Sequence, residues 1–386
     1  MLQSKLPAVG TTIFTVMTVM AQKHGAINLA QGFPDFDCPD RLKELVNHHL
    51  CNGKNQYPHV NGIAELRREI ARKVEEHYGY AADAEQEVTV TSGATEALFD
   101  AIHATVGPGD EVIMFDPAYD CYDPAVVLAG GRAVHIPLKA PQGDEHDDWY
   151  IDWDQVKDAI TDRTRLIMIN SPHNPCGNLL GKDDLDRLAA LIRERDILVL
   201  SDEVYEHIVF DGHEHNSVLS HPELKKKSFA VFSFGKTYHV TGWKLAYCVA
   251  PVEMSREFRK VHQFVTFTTS SFVQYAVADF MAECPQHAHE LPEFYQIKRD
   301  FFCERLAQSR FSFTPTRGTY FQLADYSAIS DLPDMEFTSW LAKEKGVAAI
   351  PLTPFCETPP STRFVRFCFS KDDSTLEAAT SLLKSL

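Results

Sequence analysis

Between about residues 85 and 250, short apolar runs alternate with longer stretches in which apolar residues recur at helical spacing. The apolar runs predict strands at residues 87–91, 111–115, 133–138, 166–170, 197–201, 229–234 and 245–250. Residues 166–169 and 197–200 are continuously apolar, which is typical of central strands buried on both faces. Because helical patterns such as 95–106 and 182–195 lie between the strands, the sequence predicts an α/β fold with a mostly parallel sheet.

The pattern changes after about residue 285. A long helix is predicted at 291–308, followed by strands at 311–314, 319–323, 348–351 and 364–369 and a closing helix at 373–386. We interpret this part as a smaller α+β domain. The predicted organisation is therefore an N-terminal arm that joins the small domain (1–40), a large domain (41–284) and a small C-terminal domain (285–386).

Composition narrows the possible functions. The 386 residues include 37 Lys and Arg against 54 Asp and Glu, for a net charge of −17, which argues against sequence-independent binding of nucleic acid. The nine cysteines form no C-x-x-C pair, so a disulfide framework or zinc ribbon is not expected. Residues 1–10 have no apolar signal segment. The uncharged stretch 262–278 is rich in Thr, Ser and Gln, and we interpret it as a partly buried helix rather than a membrane span. A cytoplasmic protein that does not enter a membrane is expected.

Four loops that follow predicted strands carry polar groups, at the edge where open α/β sheets bind ligands. The turn TSGATE (91–96) opens a helix and could hold an anion, although most such turns are simple helix caps. Two prolines hold Asn174 in a rigid turn, and a cis bond before Pro172 or Pro175 is predicted. Asp202 ends an apolar strand, where a carboxylate needs a cationic partner or acts as a structural cap.

The fourth loop, SFGKT (233–237), places Lys236 after a strand in apolar and aromatic surroundings. Burial would lower the pKa of this lysine and make its amine nucleophilic. The alternative is an ordinary surface lysine with its charged end in water. The string GKT also ends phosphate-binding Walker loops, but Ala230 stands where that motif requires glycine, so we reject this interpretation.

Seven segments, in this order, resemble one known family over essentially the full chain. They are NLAQGFPD (28–35), NQY (55–57), DPAYD (116–120), PHNP (172–175), SDEVY (201–205), SFGKT (233–237) and RFCF (366–369). The chain resembles the fold-type-I, class I/II aminotransferases that depend on pyridoxal 5′-phosphate, and is most similar to their methionine and kynurenine (glutamine transaminase-type) branch. The resemblance implies a mainly parallel seven-stranded sheet with flanking helices, plus the small α+β domain.

The same resemblance implies roles for residues around the cofactor ring. Lys236 would bind the cofactor covalently and move a proton during the reaction. Asp202 would pair with the ring nitrogen, and Tyr205 and Asn174 would hydrogen-bond the ring oxygen. Tyr119 would stack on the ring face. Lys236, Asp202 and Tyr205 are thus the predicted catalytic residues.

Other residues would hold the cofactor phosphate. The resemblance assigns this role to Gly93, Ala94, Thr95, Ser233 and Lys244. Many relatives have arginine where this chain has Lys244. A lysine offers one point charge, whereas an arginine offers several N–H donors in a fixed plane. Tyr57 in relatives reaches the phosphate of the neighbouring subunit, which implies a homodimer with shared active sites.

The substrates implied are an amino acid and a 2-oxo acid, exchanged by a ping-pong mechanism. Arg366 would bind the substrate carboxylate as a two-pronged salt bridge, and is preferred over Arg363. Asn174 belongs to the same site, and Gly32 would allow close approach of the backbone. Phe14 lies in an apolar N-terminal segment that lines the side-chain pocket in relatives, which favours hydrophobic, sulfur-containing or aromatic side chains, methionine-like ones first.

The same residues leave two other functions open. A β-lyase acting on cysteine S-conjugates would use the same Lys236 and Asp202. A non-catalytic regulatory protein on the same fold would require a fused DNA-binding segment or loss of the lysine, and the sequence has neither feature. The 17 histidines show no H-E-x-x-H motif and no carboxylate–histidine set on one helical face, so no metal site is predicted.

Overall fold

Seven strands form the central sheet of the molecule, which we describe from a computed structural model that covers residues 3–141 and 148–386. In chain order the strands of these residues are β1 (Ile27–Asn28), β2 (Val88–Thr91), β3 (Glu111–Asp116), β4 (Arg132–Pro137), β5 (Thr164–Asn170), β6 (Leu198–Asp202), β7 (Ser228–Ser233), β8 (Ala246–Val249), β9 (Phe321–Asp325), β10 (Val347–Ala348), β11 (Ile350–Pro351) and β12 (Phe364–Cys368). The central sheet has the order β2-β8-β7-β6-β5-β3-β4. Strand β8 is antiparallel to both neighbours, and the other pairs are parallel.

Helices cover both faces of this sheet. The helices of the described residues are α1 (Ile13–His24), α2 (Asp40–Cys51), α3 (Ala64–Tyr78), α4 (Ala94–Thr105), α5 (Tyr122–Ala129), α6 (Trp153–Ala159), α7 (Lys182–Ile192), α8 (Phe234–Thr237), α9 (Val252–Val265), α10 (Ser271–Glu283), α11 (Gln286–Leu306), α12 (Asp334–Glu344) and α13 (Asp373–Leu383). Successive residues of β3 show why the strands are apolar throughout. Val112 packs in the cluster with α4, α5 and α9, whereas Ile113 packs in the cluster on the opposite face.

A smaller unit lies beside the large sheet. Its antiparallel sheet has the order β11-β12-β9, and β1 pairs in parallel with β10. The N-terminal arm therefore joins the C-terminal part of the chain. The predicted α/β fold with a seven-stranded, mainly parallel sheet and a small α+β domain is confirmed, and the boundaries at residues 40 and 284 stay a prediction.

Several details of the predicted elements are wrong. The predicted strand 348–351 is two strands, β10 and β11, which belong to different sheets. The stretch 262–278 is not one helix, because α9 ends at Val265, Phe267 has a φ of +70°, and α10 begins at Ser271. Residues 311–314 form only a bridge, Ser312 to Asp325. Strand β9 begins two residues later than predicted, after Thr319, whose φ is +65°.

Among the helices of residues 3–141 and 148–386, none combines the length and the apolar character that a membrane crossing requires.

Candidate active site

A cavity opens at the carboxyl ends of the strands of the large sheet. Its lining includes the last residues of β5, β6 and β7, which are Asn170, Asp202 and Ser233. Thirteen other residues complete the lining: Gly93, Ala94, Thr95, Leu98, Tyr119, Asn174, Val204, Tyr205, Gly235, Lys236, Thr241, Lys244 and Leu245. Parallel strands end at one edge, so residues from distant loops meet there.

Lys236 lies on the short helix α8, directly after β7. Its Nζ lies 2.9 Å from the Tyr320 hydroxyl and 3.4 Å from the Gly32 carbonyl oxygen. The ring of Tyr205 faces the same Nζ, with its centroid 5.3 Å away. Burial lowers the pKa of Lys236 to about 8, because a desolvated site disfavours the ammonium. A fraction of this amine is therefore neutral and nucleophilic near neutral pH.

Asp202 is the last residue of β6 and is 5% exposed. The Tyr122 hydroxyl donates to its Oδ2 at 2.6 Å, and the Val204 N–H donates to Oδ1 at 3.3 Å. Burial raises the pKa of Asp202 to about 6, although the hydrogen bond from Tyr122 opposes this change. A buried carboxylate with so few partners favours a cationic ligand beside it.

The turn after β5 has the rigid form that its prolines predict. The bonds before Pro172 and Pro175 are both cis, which confirms that prediction, and a third cis bond precedes Pro117. The Asn170 side chain accepts a hydrogen bond from the Asn174 N–H at 2.8 Å. Asn174 is thereby held with its side chain towards Arg366.

The first turn of α4 forms one end of the cavity. Gly93 precedes the helix with a φ of +84°, and no side chain caps it. A Cβ at Gly93 would lie 2.9 Å from the Lys244 Cε, and the positive φ of this residue favours glycine. The first N–H groups of a helix have no partner within the helix. Together with Lys244 and Ser233, those of Ala94 and Thr95 make a cradle suited to an anion.

Arg366 is on β12 and is 1% exposed. Its guanidinium donates to Asn174 Oδ1 at 2.8 Å and to the Ala30 carbonyl oxygen at 3.0 Å. Its buried Nε has no partner among the described residues. The guanidinium lies over the Phe14 ring at 5.4 Å, and a Cβ at Gly32 would lie 2.9 Å from the Phe321 ring. An incompletely paired buried cation can bind a carboxylate.

Four of the predicted site residues lie outside the lining of the cavity, namely Gly32, Arg366, Phe14 and Tyr57. The Phe14 ring is 6.4 Å from the Tyr119 ring and 5.7 Å from the Phe355 ring, so these three form an aromatic wall near Arg366. Tyr57 is 83% exposed and contacts the Phe267 ring at 5.5 Å. Its predicted contact with a neighbouring subunit stays a prediction.

Sequence reasoning missed three residues of this site, namely Tyr122, Asn170 and Tyr320. Tyr122 holds Asp202, Asn170 holds Asn174, and Tyr320 contacts Lys236. Asn170 was detectable, since it ends a predicted strand immediately before the proline turn. The two tyrosines carry no local signal, because their partners are 80 and 84 residues away.

The residues present fit pyridoxal 5′-phosphate, the cofactor that the sequence resemblance implies. The cradle around Gly93 suits a phosphate, and the buried Asp202 carboxylate suits a protonated ring nitrogen. The amine of Lys236, with its lowered pKa, suits an aldehyde. All three features line one cavity.

Comparisons with known proteins agree with this geometry. Residues 24–383 match the model of the family described as aminotransferase class I and II. The chain is 50% identical to the methionine aminotransferase of Escherichia coli (strain K12), over 100% of this chain and 98% of the relative. It is 34% identical to kynurenine–oxoglutarate transaminase 1 of Mus musculus, over 94% of this chain and 92% of the relative. A crystal structure of an Escherichia coli protein with a methionine aminotransferase function superposes with a TM-score of 0.97, at 50% identity and full coverage of both chains. This chain therefore belongs to the class I and II aminotransferases.

Proposed function

We propose that this aminotransferase moves the amino group of a hydrophobic, sulfur-containing or aromatic L-amino acid to a 2-oxo acid, with methionine-like donors favoured. Enzymes of this family depend on pyridoxal 5′-phosphate and act on amino and oxo acids. The observation that carries the proposal is that the partly buried Lys236, whose pKa is lowered to about 8, and the buried Asp202 carboxylate line the same cavity. The methionine preference rests on the 50% identical relative and on the aromatic wall.

The chemistry that pyridoxal 5′-phosphate supplies when bound is an aldehyde that accepts the amino group and a ring that withdraws electrons. We infer that Asp202 pairs with the ring nitrogen and keeps its proton in place. Tyr205 and Asn174 donate hydrogen bonds to the ring oxygen, and Tyr119 packs against the ring face. The helix end at Gly93, with Ala94, Thr95, Ser233 and Lys244, holds the phosphate.

The remaining steps belong to the chain's own side chains. The neutral amine of Lys236 removes the proton from the substrate α-carbon and later returns a proton, as a general base and then a general acid. Arg366 binds the substrate carboxylate with two N–H groups of its guanidinium, and Gly32 leaves room for that carboxylate. Binding at Arg366 fixes the α-carbon relative to Lys236, which lowers the entropic cost of proton transfer.

The side chain of the substrate is expected to contact the aromatic wall of Phe14, Tyr119 and Phe355. Apolar surface favours methionine and aromatic side chains, because burying them is favourable whereas burying a second carboxylate is costly. Comparing kcat/KM for methionine, phenylalanine, kynurenine and aspartate tests this preference. A clear preference for aspartate would contradict it, and pyruvate with ammonia from a cysteine S-conjugate would indicate β-elimination.

The cofactor and the lysine have a direct test. The purified protein should show a yellow absorbance band that shifts when methionine is added. Lys236→Ala should abolish the shift and the turnover. Lys227→Ala is a matched control, because Lys227 hydrogen-bonds the carbonyl groups of Ile192 and Arg195 outside the cavity. Retained transamination by Lys236→Ala would contradict the assigned role.

We also propose a homodimer with shared active sites. Tyr57 and Phe267 form an exposed aromatic contact, and Phe264 nearby in sequence is 86% exposed. Exposed aromatic side chains of this kind favour a protein interface. Light scattering at micromolar concentration should give twice the chain mass of 43.5 kDa, whereas a monomer would contradict the proposal. We further propose that the protein is cytoplasmic. We also propose that the chain divides into three units at residues 1–40, 41–284 and 285–386.

A further inference from the structure

A buried cluster of two carboxylates and one histidine lies outside the cavity described above. Glu96 and Asp100 are one helical turn apart on α4, and His262 is on α9. His262 and Asp100 are both 0% exposed, and Glu96 is also buried. Charged groups are costly in such a place unless they pair with one another, so their arrangement requires an explanation.

His262 uses both ring nitrogens. Its Nδ1 lies 2.7 Å from Glu96 Oε1, and its Nε2 lies 2.9 Å from the Val60 carbonyl oxygen. An ionised carboxylate and a carbonyl oxygen only accept hydrogen bonds, so both nitrogens must donate. His262 is therefore an imidazolium cation in this arrangement.

The electrostatic surroundings support the cation. Burial lowers the pKa of His262, but the carboxylates of Asp100 and Glu96 outweigh burial and raise it to about 9. Asp100 Oδ2 lies 3.6 Å from Nδ1, and neither Asp100 oxygen has a hydrogen-bond partner among the described residues. The single positive charge of His262 balances one of the two carboxylates, and burial raises the pKa of the other, Asp100, to about 6.

The same three side chains could also be ligands for a metal ion, because their donor atoms lie within 4.8 Å of one another. The 2.7 Å separation of Nδ1 and Glu96 Oε1 is the length of a charge-assisted hydrogen bond. Two ligands about 2.0–2.2 Å from a tetrahedral zinc ion are separated by roughly 3.3 Å. The geometry therefore favours a shared proton over a metal ion.

The cluster is connected to the turn that begins α4. The second carboxylate oxygen of Glu96, Oε2, accepts a hydrogen bond from the Ser92 N–H. Ser92 directly precedes Gly93, and no side chain of the turn caps the helix. Glu96 therefore fixes the backbone immediately before the N–H groups of Ala94 and Thr95, and His262 fixes Glu96.

We propose that His262 and Glu96 are positioning residues for the cofactor phosphate. The imidazolium holds the Glu96 carboxylate, and the carboxylate holds the Ser92 N–H, so that the N–H groups of Ala94 and Thr95 point into the cavity. The inference rests on the proposed function, because it concerns the phosphate of the same cofactor. Neither residue lines the cavity, so both act through the backbone of the turn.

The test compares two ligands that differ only in the phosphate. Dissociation constants of the apoenzyme for pyridoxal 5′-phosphate and for pyridoxal are measured by absorbance titration. In Glu96→Gln and His262→Asn, affinity for pyridoxal 5′-phosphate should fall about five- to tenfold, as expected when a hydrogen bond to a charged group becomes one between neutral groups. Affinity for pyridoxal should change less than about twofold. His103→Asn is the control, since His103 is also on α4 but its Nδ1 hydrogen-bonds the Phe99 carbonyl oxygen of its own helix.

Three results would overturn the proposal: equal weakening of both ligands, no weakening of either, or a stoichiometric metal ion that is lost in His262→Asn. Neutron diffraction from wild-type crystals gives an answer even if the variants do not fold. Hydrogen on both ring nitrogens of His262 supports the proposal, and hydrogen on one contradicts it. A wild-type apoenzyme that does not bind pyridoxal 5′-phosphate would overturn the proposed function as well, whereas tight wild-type binding with equal losses would overturn only the positioning role.

Discussion

Tyr320→Phe should shift the protonation of Lys236 without disturbing its packing. The Tyr320 hydroxyl donates to the Gly32 carbonyl oxygen at 2.7 Å and accepts from Lys236 Nζ at 2.9 Å. Phenylalanine keeps the ring, whose centroid lies 5.4 Å from Nζ, and removes only the hydroxyl. The protonated form of Lys236 loses more stabilising free energy than the neutral amine does, because hydrogen bonds from charged donors are stronger.

The size of the change follows from the two kinds of hydrogen bond. A hydrogen bond to a charged group contributes about 1.5–3 kcal/mol and a neutral one about 0.5–1.5 kcal/mol, so the protonated form loses about 1–1.5 kcal/mol more. Since about 1.4 kcal/mol corresponds to a pKa change of 1, the pKa of Lys236 should fall from about 8 to about 7. At pH 7 the neutral fraction then rises from about one tenth to about one half.

The reaction of the apoenzyme with pyridoxal, followed by absorbance between pH 5.5 and 9.5, reports the neutral amine. We expect the rate of the wild type to reach half its maximum near pH 8 and that of Tyr320→Phe near pH 7, with a roughly fivefold faster reaction at pH 7. Tyr326→Phe is the control, because Tyr326 is equally buried but donates to the Leu332 carbonyl oxygen. An unchanged or higher midpoint in Tyr320→Phe would refute the reasoning.

Three further changes have defined outcomes. Gly93→Ala places a Cβ 2.9 Å from the Lys244 Cε in a backbone conformation with a φ of +84°. The free energy of unfolding, measured by urea denaturation, should fall by about 1–3 kcal/mol, and cofactor binding should weaken. Tyr122→Phe removes the 2.6 Å hydrogen bond to Asp202, so the pKa of Asp202 should rise further. The NMR chemical shift of the Asp202 carboxyl ¹³C, followed against pH, should then show a higher midpoint than in the wild type. Arg366→Lys retains the positive charge but loses the pair of parallel N–H donors of the guanidinium, so KM for methionine should rise at least about tenfold. An unchanged KM would contradict carboxylate binding at this position.

The strands of the large sheet were predictable from local composition. Each of the seven predicted strands overlaps an observed one, with ends that differ by no more than two residues. Residues such as those of β5 face helices on both sides and therefore must be apolar throughout. Periodicity alone was sufficient for this part of the molecule.

The break between α9 and α10 was not predictable in the same way. No glycine or proline interrupts the segment after Val265, and Phe267 adopts a positive φ there. Its ring contacts Tyr57, and the Thr268 hydroxyl donates to the His59 carbonyl oxygen. Contacts with a distant loop accompany the break, and no local signal indicates them.

The amino-acid sequence by itself determined the order of strands and helices and the motifs that meet at the strand ends, because both depend on neighbouring residues and on the rule that parallel strands end together. The tertiary structure decided which side chains hold those motifs in place. Tyr320 reaches Lys236, and His262 reaches Glu96 across 166 residues of chain. Such pairs leave no periodic trace, since a hydrogen bond depends on distance in space and the sequence records only distance along the chain.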